Sequence, residues 1–255
     1  MNIDRPMNGD IAGLRFLWYE AFGDSDEFLD IFFMTAFSRD RCMRIRIGEE
    51  IAAALYWFDC SVDDRKIAYI YAVATLEKYR GKGLCRELMN AAHRCLAAVG
   101  FSGAVLVPSE KSLFGFYGKM GYRVCSHIEK FSCEAEDNTV SVSLRRLGGR
   151  EYAALRSRML PAGGVIQEGE NIEFLLTQTE LYCGDGVVFA ARREGDRLIC
   201  PEFLGEKKAA SGILRELGCV FGDFRVPSGE DGEEFAMYLP FDGGEAPSYF
   251  GLAFD

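Results

Sequence analysis

Residues 71–85 have the sequence YAVATLEKYRGKGLC, in which two closely spaced glycines follow an apolar segment. The pattern predicts a strand, a short turn and then an amphipathic helix. Gly81 and Gly83 allow the backbone to approach a ligand closely. Unpaired amides at the start of a helix favour phosphate, and Arg80 and Lys82 add positive charge beside them. The stretch therefore predicts a loop that binds a pyrophosphate.

Two better-known phosphate loops do not fit this stretch. A Walker loop requires Gly-x-x-x-x-Gly-Lys-Ser/Thr, and this loop is too short to contain it. A dinucleotide fingerprint requires a third glycine at the position where Arg86 stands. The remaining alternative is that Gly81 and Gly83 only make a tight turn between strand and helix. That alternative would leave the flanking cations, Arg80 and Lys82, unexplained.

The loop resembles motif A of the GCN5-related N-acetyltransferase (GNAT) family, Arg/Gln-x-x-Gly-x-Gly/Ala. The resemblance assigns the pyrophosphate of acetyl-CoA to these residues: Arg80, Gly81, Lys82, Gly83, Leu84 and Cys85. Cys85 departs from the pattern, because Gly or Ala is usual there. Its side chain is small enough to fit. The alternative is a reactive thiol, whose pKa is lowered by the helix N-terminus and the nearby cations.

Two further segments resemble the same family. By that resemblance, the strand before the loop splays from its neighbour, and the backbone of Val73, Ala74 and Thr75 pairs with the pantetheine arm of acetyl-CoA. Residues 113–122 (LFGFYGKMGY) resemble the FY-x-x-x-GF signature. Tyr117 matches the tyrosine that serves as general acid for the departing thiolate. The alternative is that Tyr117 only packs on the donor.

The order of elements supports the resemblance over residues 8–133. Hydrophobic periodicity predicts the order α-α-β-β-β-α-β-α-β, with the first helix over residues 8–22. We therefore expect an α/β mixed sheet with splayed central strands, the GNAT fold. We expect the domain 1–133 to be the acetyltransferase and 134–255 to be a second, smaller α/β domain.

The second domain is expected to be a degenerate relative of the first. Its order of helix, hairpin, helix and strands echoes the first half, but the equivalent loop, residues 204–209, has one glycine and no Gly-x-Gly. The chain thus resembles tandem-domain family members such as the enhanced intracellular survival acetyltransferases. It is too short to include the third, sterol-carrier-like domain of that group.

The implied reaction is direct transfer of the acetyl group to a small-molecule or peptide amine. The amine must lose a proton before it attacks, and the sequence leaves four candidates for that step open: Asp26, Asp59, the chain-terminal carboxylate of Asp255, or water. Trp57 and Tyr71 either line the acceptor pocket or pack in the core. The runner-up function is a catalytically silent acyl-CoA-binding sensor or interaction module.

The charge of the chain and its distribution limit the classes of function that remain. Residues 1–133 carry 17 of the 29 Lys and Arg residues and 17 of the 39 Asp and Glu residues, so the formal charge of −10 lies entirely in residues 134–255. The formal net charge of −10 argues against a general nucleic-acid binder. The acidic run at residues 230–234 predicts a solvated hairpin tip or, alternatively, an electrostatic lure for a cationic amine.

No metal site is predicted, because the nine cysteines contain no Cys-x-x-Cys pair and only two histidines are present. The longest apolar run, residues 51–58, is too short to span a bilayer, and the N-terminus lacks the apolar segment of a secretory signal. A cytoplasmic protein with reduced thiols, no membrane partner and an open question of homo-oligomerisation is therefore expected.

Overall fold

The structure is a computed structural model that describes residues 2–137 and 142–254. The chain forms two compact units. Unit 1 comprises Met1–Leu106, Phe114–Tyr122 and Tyr238–Ala246, and unit 2 comprises Val107–Leu113, Arg123–Met237 and Pro247–Asp255. The predicted domains, 1–133 and 134–255, are continuous stretches of sequence, and that division stays a prediction.

The described residues contain the following helices and strands, numbered in chain order. The helices are α1 (Ile11–Phe22), α2 (Asp26–Thr35), α3 (Leu84–Ala98), α4 (Lys111–Gly118), α5 (Gly149–Met159), α6 (Glu170–Leu176) and α7 (Ala210–Glu216). The first strands are β1 (Asn2–Asp4), β2 (Cys42–Ile47), β3 (Glu50–Val62), β4 (Arg65–Thr75), β5 (Gly103–Leu106) and β6 (Arg123–Glu134). The later strands are β7 (Arg145–Arg146), β8 (Ile166–Gln167), β9 (Glu180–Gly184), β10 (Val187–Glu194), β11 (Arg197–Leu204), β12 (Phe221–Ser228) and β13 (Glu233–Pro240).

Unit 1 contains a mixed sheet in the order β1-β2-β3-β4-β5. The first three pairings are antiparallel, and β4 pairs with β5 in parallel after the crossover through α3. The parallel pairing follows from the connection, because a strand that returns through a helix enters the sheet in the same direction. The predicted mixed α/β fold is confirmed.

The first helix begins later than predicted, at Ile11, after a single turn at residues 8–10. The buried carboxylate of Asp10 explains the boundary. It accepts the backbone N–H of Met7 (2.7 Å) and the Nε–H of Arg44 (2.9 Å). Because these two bonds hold the carboxylate in place, Asp10 lies at the N-terminus of the helix and not on its exposed face.

Aromatic side chains fill the space between α1, α2 and the sheet. The Trp18 ring lies 4.4 Å from Phe32, 5.1 Å from Tyr56 and 5.7 Å from Tyr71 between ring centroids. Tyr56 and Tyr71 are register partners, whereas Trp57 pairs with Ile70. Because side chains alternate along a strand, Trp57 points to the other face, where it is buried in the core. A pocket shared by Trp57 and Tyr71 is therefore wrong.

Unit 2 contains strands in the order β6-β12-β11-β10-β9-β7, with β13 residues 233–237 beside β6. The predicted hairpin of β10 and β11 is confirmed, and β11 pairs with β12 in parallel. One core cluster packs α7 on the sheet, and a second packs α5 and α6 on β9 and β10. The second half of the chain is thus also an α/β structure.

Three sequence predictions for unit 2 are corrected. The sequence predicts a helix over residues 171–182, but α6 ends at Leu176 and residues 180–182 belong to β9. The acidic run forms an exposed turn, but β12 and β13 are not a hairpin, because β6 lies between them. Its role as an electrostatic lure stays a prediction. The sequence also predicts a strand over residues 249–254, but these residues form none, and Tyr249 makes an isolated bridge with Gly164.

The C-terminal segment is held in unit 2 by polar contacts. Buried Glu202 accepts two bonds from Arg156 (2.5 and 2.9 Å) and one from the Tyr249 hydroxyl (3.1 Å). Gln167 donates to the carbonyl of Leu252 (2.9 Å). These fixed bonds replace the ladder that a strand would have provided.

Candidate functional site

The candidate site begins at an irregularity in β4. Its register against β3 shifts between Ala54 and Tyr56, and Ala72 has a positive φ of +49°. Such a conformation costs a non-glycine residue about 1–2 kcal/mol, so the surrounding pairs must hold it in place. A bulge re-aims the residues that follow it, and bulges concentrate beside active sites.

The parallel pairing of β4 with β5 ends before the bulge. In the described part of the chain, β4 pairs with β5 only from Ile67↔Gly103 to Tyr69↔Val105. The positions from Val73 to Thr75 therefore lie past the end of the parallel ladder, where Val73 and Thr75 are half-buried and Ala74 is buried. The backbone on this side can pair with an extended ligand, as the sequence predicts for these three residues.

The loop after β4 leaves open space beside its glycines. Gly81 and Gly83 have φ values of +73° and +80°, and a Cβ built on either would meet no described atom within 4 Å. The backbone conformation therefore requires glycine, and the room beside it is available to a ligand. Helix α3 begins at Leu84 without a described side-chain cap, and its first bond runs from the Glu87 N–H to the Gly83 carbonyl (3.1 Å).

The predicted cations stand around this helix start. Arg80 and Lys82 are exposed, and both donate to carbonyls of the same loop: Arg80 Nε to Thr75 (3.1 Å) and Lys82 Nζ to Lys78 (3.0 Å). Neutral carbonyl partners leave their positive charges available. The amides of residues 84–86 and these two cations together form a cradle suited to phosphate groups.

A residue that the sequence did not single out anchors the loop. Glu50, at the start of β3, accepts bonds from Lys78 Nζ (2.7 Å) and the Tyr79 hydroxyl (3.0 Å). The Lys78 ammonium is the largest cause of the lowered pKa of Glu50. The contacts join residues 28 and 29 positions apart in the chain, so no local pattern reveals them.

Tyr117 lies on α4 within unit 1 and is 8% exposed. Burial raises the pKa of its hydroxyl, and the nearby Cys85 thiol adds to the shift. The shared electrostatics place these two predicted residues in one environment. Burial also raises the pKa of Cys85 to about 11. This shift is opposite in direction to the lowered pKa of an activated thiol, and its cause is desolvation.

A buried pair of residues, Tyr122 and His93, lies beside Tyr117. The Tyr122 ring lies 5.9 Å from that of Tyr117, and the Tyr122 hydroxyl is 2.8 Å from Nε2 of His93. Burial lowers the pKa of His93 to about 4, so its imidazole is neutral at pH 7. The neutral ring fixes the Tyr122 hydroxyl, and Tyr122 packs against the ring of Tyr117.

The candidate bases are not positioned alike. Asp59 forms an ion pair with Lys66 (2.8 Å) and is the register partner of Ala68, about 13 Å along the strand from Ala72. Asp26 is exposed and pairs with Arg15 (3.2 Å). Asp255 lies outside the described residues. Both described carboxylates are therefore already paired with a cation.

Buried Tyr56 is a second residue that the sequence did not identify. Its hydroxyl has no hydrogen-bond partner among the described residues, although burial raises its pKa and keeps it protonated. An unpaired buried hydroxyl costs about 1–3 kcal/mol. Such groups are retained where a ligand or a water completes them.

The described residues offer neither a metal cluster nor a membrane-spanning helix. No group of three or more His, Cys, Asp or Glu residues suited to a metal occurs in residues 2–137 and 142–254. Over the same ranges, the helices are all too short or too polar to cross a bilayer.

The family is identified by a match between this sequence and a known family of proteins. Residues 2–125 match the family model described as an acetyltransferase (GNAT) domain. This part of the chain belongs to the GNAT family. The match covers β1 to the start of β6 and includes the end of β4, the loop and Tyr117. It supports acetyl transfer as the general chemistry of this GNAT domain. No curated protein matches the sequence.

Solved structures extend the likeness in fold beyond the GNAT domain. A GCN5-related N-acetyltransferase from Anabaena variabilis is 14% identical, with a TM-score of 0.73 over 93% of this chain and 72% of that chain. Eis1 from Mycobacterium abscessus is 12% identical, with a TM-score of 0.65 over 95% and 74%. A GCN5-related N-acetyltransferase from Sphaerobacter thermophilus is 12% identical, with a TM-score of 0.55 over 98% of both chains. At these identities the likeness concerns the fold.

Proposed function

We propose that this protein transfers the acetyl group of acetyl-CoA directly to a primary amine of a small molecule or a peptide. The observation that carries the proposal is the crossover from β4 to α3, where the strand end beyond the ladder with β5 leads into open glycines and an uncapped helix start. One continuous stretch thus offers backbone groups to an extended arm and positive charge to a pyrophosphate. Acetyl-CoA has both parts.

The strand, the loop and the bulge have different roles in the proposed reaction. Val73, Ala74 and Thr75 pair with the pantetheine arm. Arg80 and Lys82, with the amides from Gly81 to Cys85, hold the pyrophosphate. The bulge at Ala72 turns a backbone N–H toward the thioester oxygen, where negative charge develops during attack by the amine.

Tyr117 is the proposed donor of a proton to the departing thiolate. Its raised pKa keeps the phenol protonated at pH 7, which is the form the step requires. For deprotonation of the amine we favour water, because Asp26 and Asp59 are both engaged in ion pairs. The substrate is then selected in its neutral form.

The second candidate is a module that binds acyl-CoA without turnover. The same raised pKa favours it, since a phenol that holds its proton more tightly is a weaker acid. The two candidates agree on binding and differ on chemistry. Under either, we propose a cytoplasmic protein with a tandem arrangement in which unit 2 has lost its donor site.

The test incubates the full chain with acetyl-CoA and a panel of amines: a polyamine, an aminoglycoside, a peptide with a free N-terminus and a lysine peptide. Mass spectrometry then measures acetylated product. Product with at least one amine supports the enzyme. Binding of acetyl-CoA without product supports the silent module, and absence of binding overturns both.

A further inference from the structure

The carboxylate of Glu50 lies beside the loop to which the proposed function assigns an anion. It is 2.7 Å from Lys78 Nζ and 3.0 Å from the Tyr79 hydroxyl. These two residues directly precede Arg80 in the chain. A negative charge at this place opposes the binding of a pyrophosphate, because like charges repel. The position of Glu50 therefore calls for a role that outweighs this repulsion.

The path of the loop backbone does not require Glu50. The Leu76 N–H donates to the carbonyl of Ala52 on β3 (2.9 Å), and the Tyr79 N–H donates to the carbonyl of Leu76 (2.9 Å). Residues 77–79 form a single helical turn between these bonds and the glycines. Because the backbone bonds already fix the turn, the contacts of Glu50 act on the side chains.

The first of these side chains is the ring of Tyr79, which is half-buried. Its hydroxyl donates to the Glu50 carboxylate, and this bond is the largest cause of the raised pKa of Tyr79. The phenol therefore stays protonated at pH 7 and keeps the bond. The ring is held by the backbone at one end and by the carboxylate at the other. Donation to a carboxylate also polarises the phenol.

The ammonium of Lys82 lies over this ring, with Nζ 5.2 Å from the ring centroid. A cation within about 6 Å of an aromatic face is attracted to it. The same Nζ donates to the carbonyl of Lys78 (3.0 Å). Both contacts of Lys82 thus run to residues that Glu50 holds. They restrict a long exposed side chain that would otherwise lose its rotamer freedom when a ligand binds.

The second side chain is that of Lys78, whose ammonium also lies near the Tyr79 ring, 5.4 Å from the centroid. Two ammonium groups at one ring repel each other. The ion pair with Glu50 compensates the charge of Lys78, and Lys78 is the largest cause of the lowered pKa of Glu50. The ionised carboxylate therefore reduces the competition of Lys78 with Lys82 for the ring.

We propose that Glu50 is a positioning residue for the donor site. Through Tyr79 and Lys78, it holds the Lys82 ammonium over the Tyr79 ring, where it contacts the pyrophosphate of acetyl-CoA. Glu50 itself does not touch the donor. The inference rests on the proposed function, in which Lys82 holds the pyrophosphate.

The first test compares two substitutions of Glu50 by calorimetric titration with acetyl-CoA at low salt. Positioning predicts that Glu50→Ala raises the Kd about threefold, the size of an exposed cation–π contact. Glu50→Gln should restore most of the affinity, because its amide oxygen still accepts the Tyr79 bond. Charge repulsion alone predicts the opposite sign, since both substitutions remove a negative charge and would tighten binding.

The second test determines whether Glu50 acts through Lys82. Glu50→Ala and Tyr79→Leu should each raise the Kd about threefold in the wild type, but less than about 1.5-fold in the Lys82→Ala background, where the positioned group is gone. The matched control is Glu49→Ala, which removes the neighbouring exposed acid, 3.7 Å from Arg46. It should bind acetyl-CoA as the wild type does. Circular dichroism checks that every variant folds.

Three results overturn the inference: tighter binding by Glu50→Ala, a Glu50→Gln affinity as weak as that of Glu50→Ala, or a full threefold loss from Glu50→Ala in the Lys82→Ala background. Each of them leaves the proposed function intact, because the wild type still binds acetyl-CoA. A wild type that does not bind acetyl-CoA overturns the proposed function, and the inference with it.

Discussion

The crossovers from β4 to α3 in unit 1 and from β11 to α7 in unit 2 follow the same plan. In each, a strand from an antiparallel pair leads through a loop and a helix to a parallel neighbour. Their glycines differ. Gly83 faces open space, whereas a Cβ at Gly205 would lie 2.7 Å from Val187 Cγ1 and 2.8 Å from the Gly186 carbonyl. One loop is open for a ligand and the other is closed on its own hairpin.

The helices and the cations of the two crossovers also differ. Helix α3 has 15 residues, whereas α7 has seven, so its dipole is shorter. Lys207 and Lys208 form ion pairs with Glu129 and Glu206, while Arg80 and Lys82 contact carbonyls of their own loop. The comparison teaches that topology alone does not make a donor site. Open space and unmatched positive charge are also needed.

The largest expected effect concerns Tyr117, which has no assigned counterpart in unit 2. Tyr117→Phe should lower kcat about 100-fold by removing the proton donor, with the Kd for acetyl-CoA changed less than about twofold. Steady-state kinetics and calorimetry measure the two quantities. Phe116→Leu, a neighbour on α4, is the control. An unchanged kcat in Tyr117→Phe would remove the acid role.

The next effect concerns the stability of unit 1 at low pH. The pKa of His93 is about 4 in the fold and about 6.5 in the unfolded chain, so the unfolded state binds more protons between these values. Stability is fully present above pH 6.5 and is lost progressively as pH falls toward 4, by about 3 kcal/mol.

Denaturant unfolding at pH 7 and pH 4.5 measures this loss. His93→Gln removes the titrating ring and should flatten the dependence by about that amount. Replacement of His127, the other histidine, is the control. If His93→Gln keeps the slope of the wild type, the neutral buried imidazole is not its cause.

The glycine comparison gives the third prediction. Gly83→Ala places a Cβ in the open cradle at a strained φ, and should weaken acetyl-CoA about tenfold. Gly205→Ala, the matched change, should lower Tm because its Cβ clashes, but leave the Kd for acetyl-CoA unchanged. Weaker binding in Gly205→Ala alone would reverse the assignment of the two loops.

A smaller effect is expected for the loop cations. Lys82→Ala should raise the Kd for acetyl-CoA about threefold to fivefold at low salt, with the difference shrinking as salt screens the charge. Lys207→Ala in the other loop should have no effect at any salt concentration. Titrations at two ionic strengths distinguish a direct charge contact from a change in loop structure.

The smallest effect is predicted for Cys85. With a pKa of about 11 the thiol is neutral at pH 7, so Cys85→Ala should change neither KM nor kcat beyond about twofold. Alkylation of Cys85 at pH 7 should be slow. Rapid alkylation at this pH that acetyl-CoA prevents would show an activated thiol.

Local patterns predict some of these features and miss others. The strand–glycine–helix stretch is contiguous, so its spacing reveals the cradle, and hydrophobic periodicity gives the element order of unit 1. The anchor Glu50 and the support by His93 depend on residues 28 and 29 positions away in the chain. The acidic turn was expected in a hairpin, but long-range pairing inserts β6 between its strands. Such pairing has no local signature.

Amide hydrogen exchange with and without acetyl-CoA tests the central claim most directly, because it reports on both loops in one experiment. The account predicts slower exchange at residues 73–75 and 81–87 when acetyl-CoA is present, with no change at residues 205–210. Protection at residues 205–210, or its absence at residues 81–87, would contradict the assignment of the donor site to the first crossover.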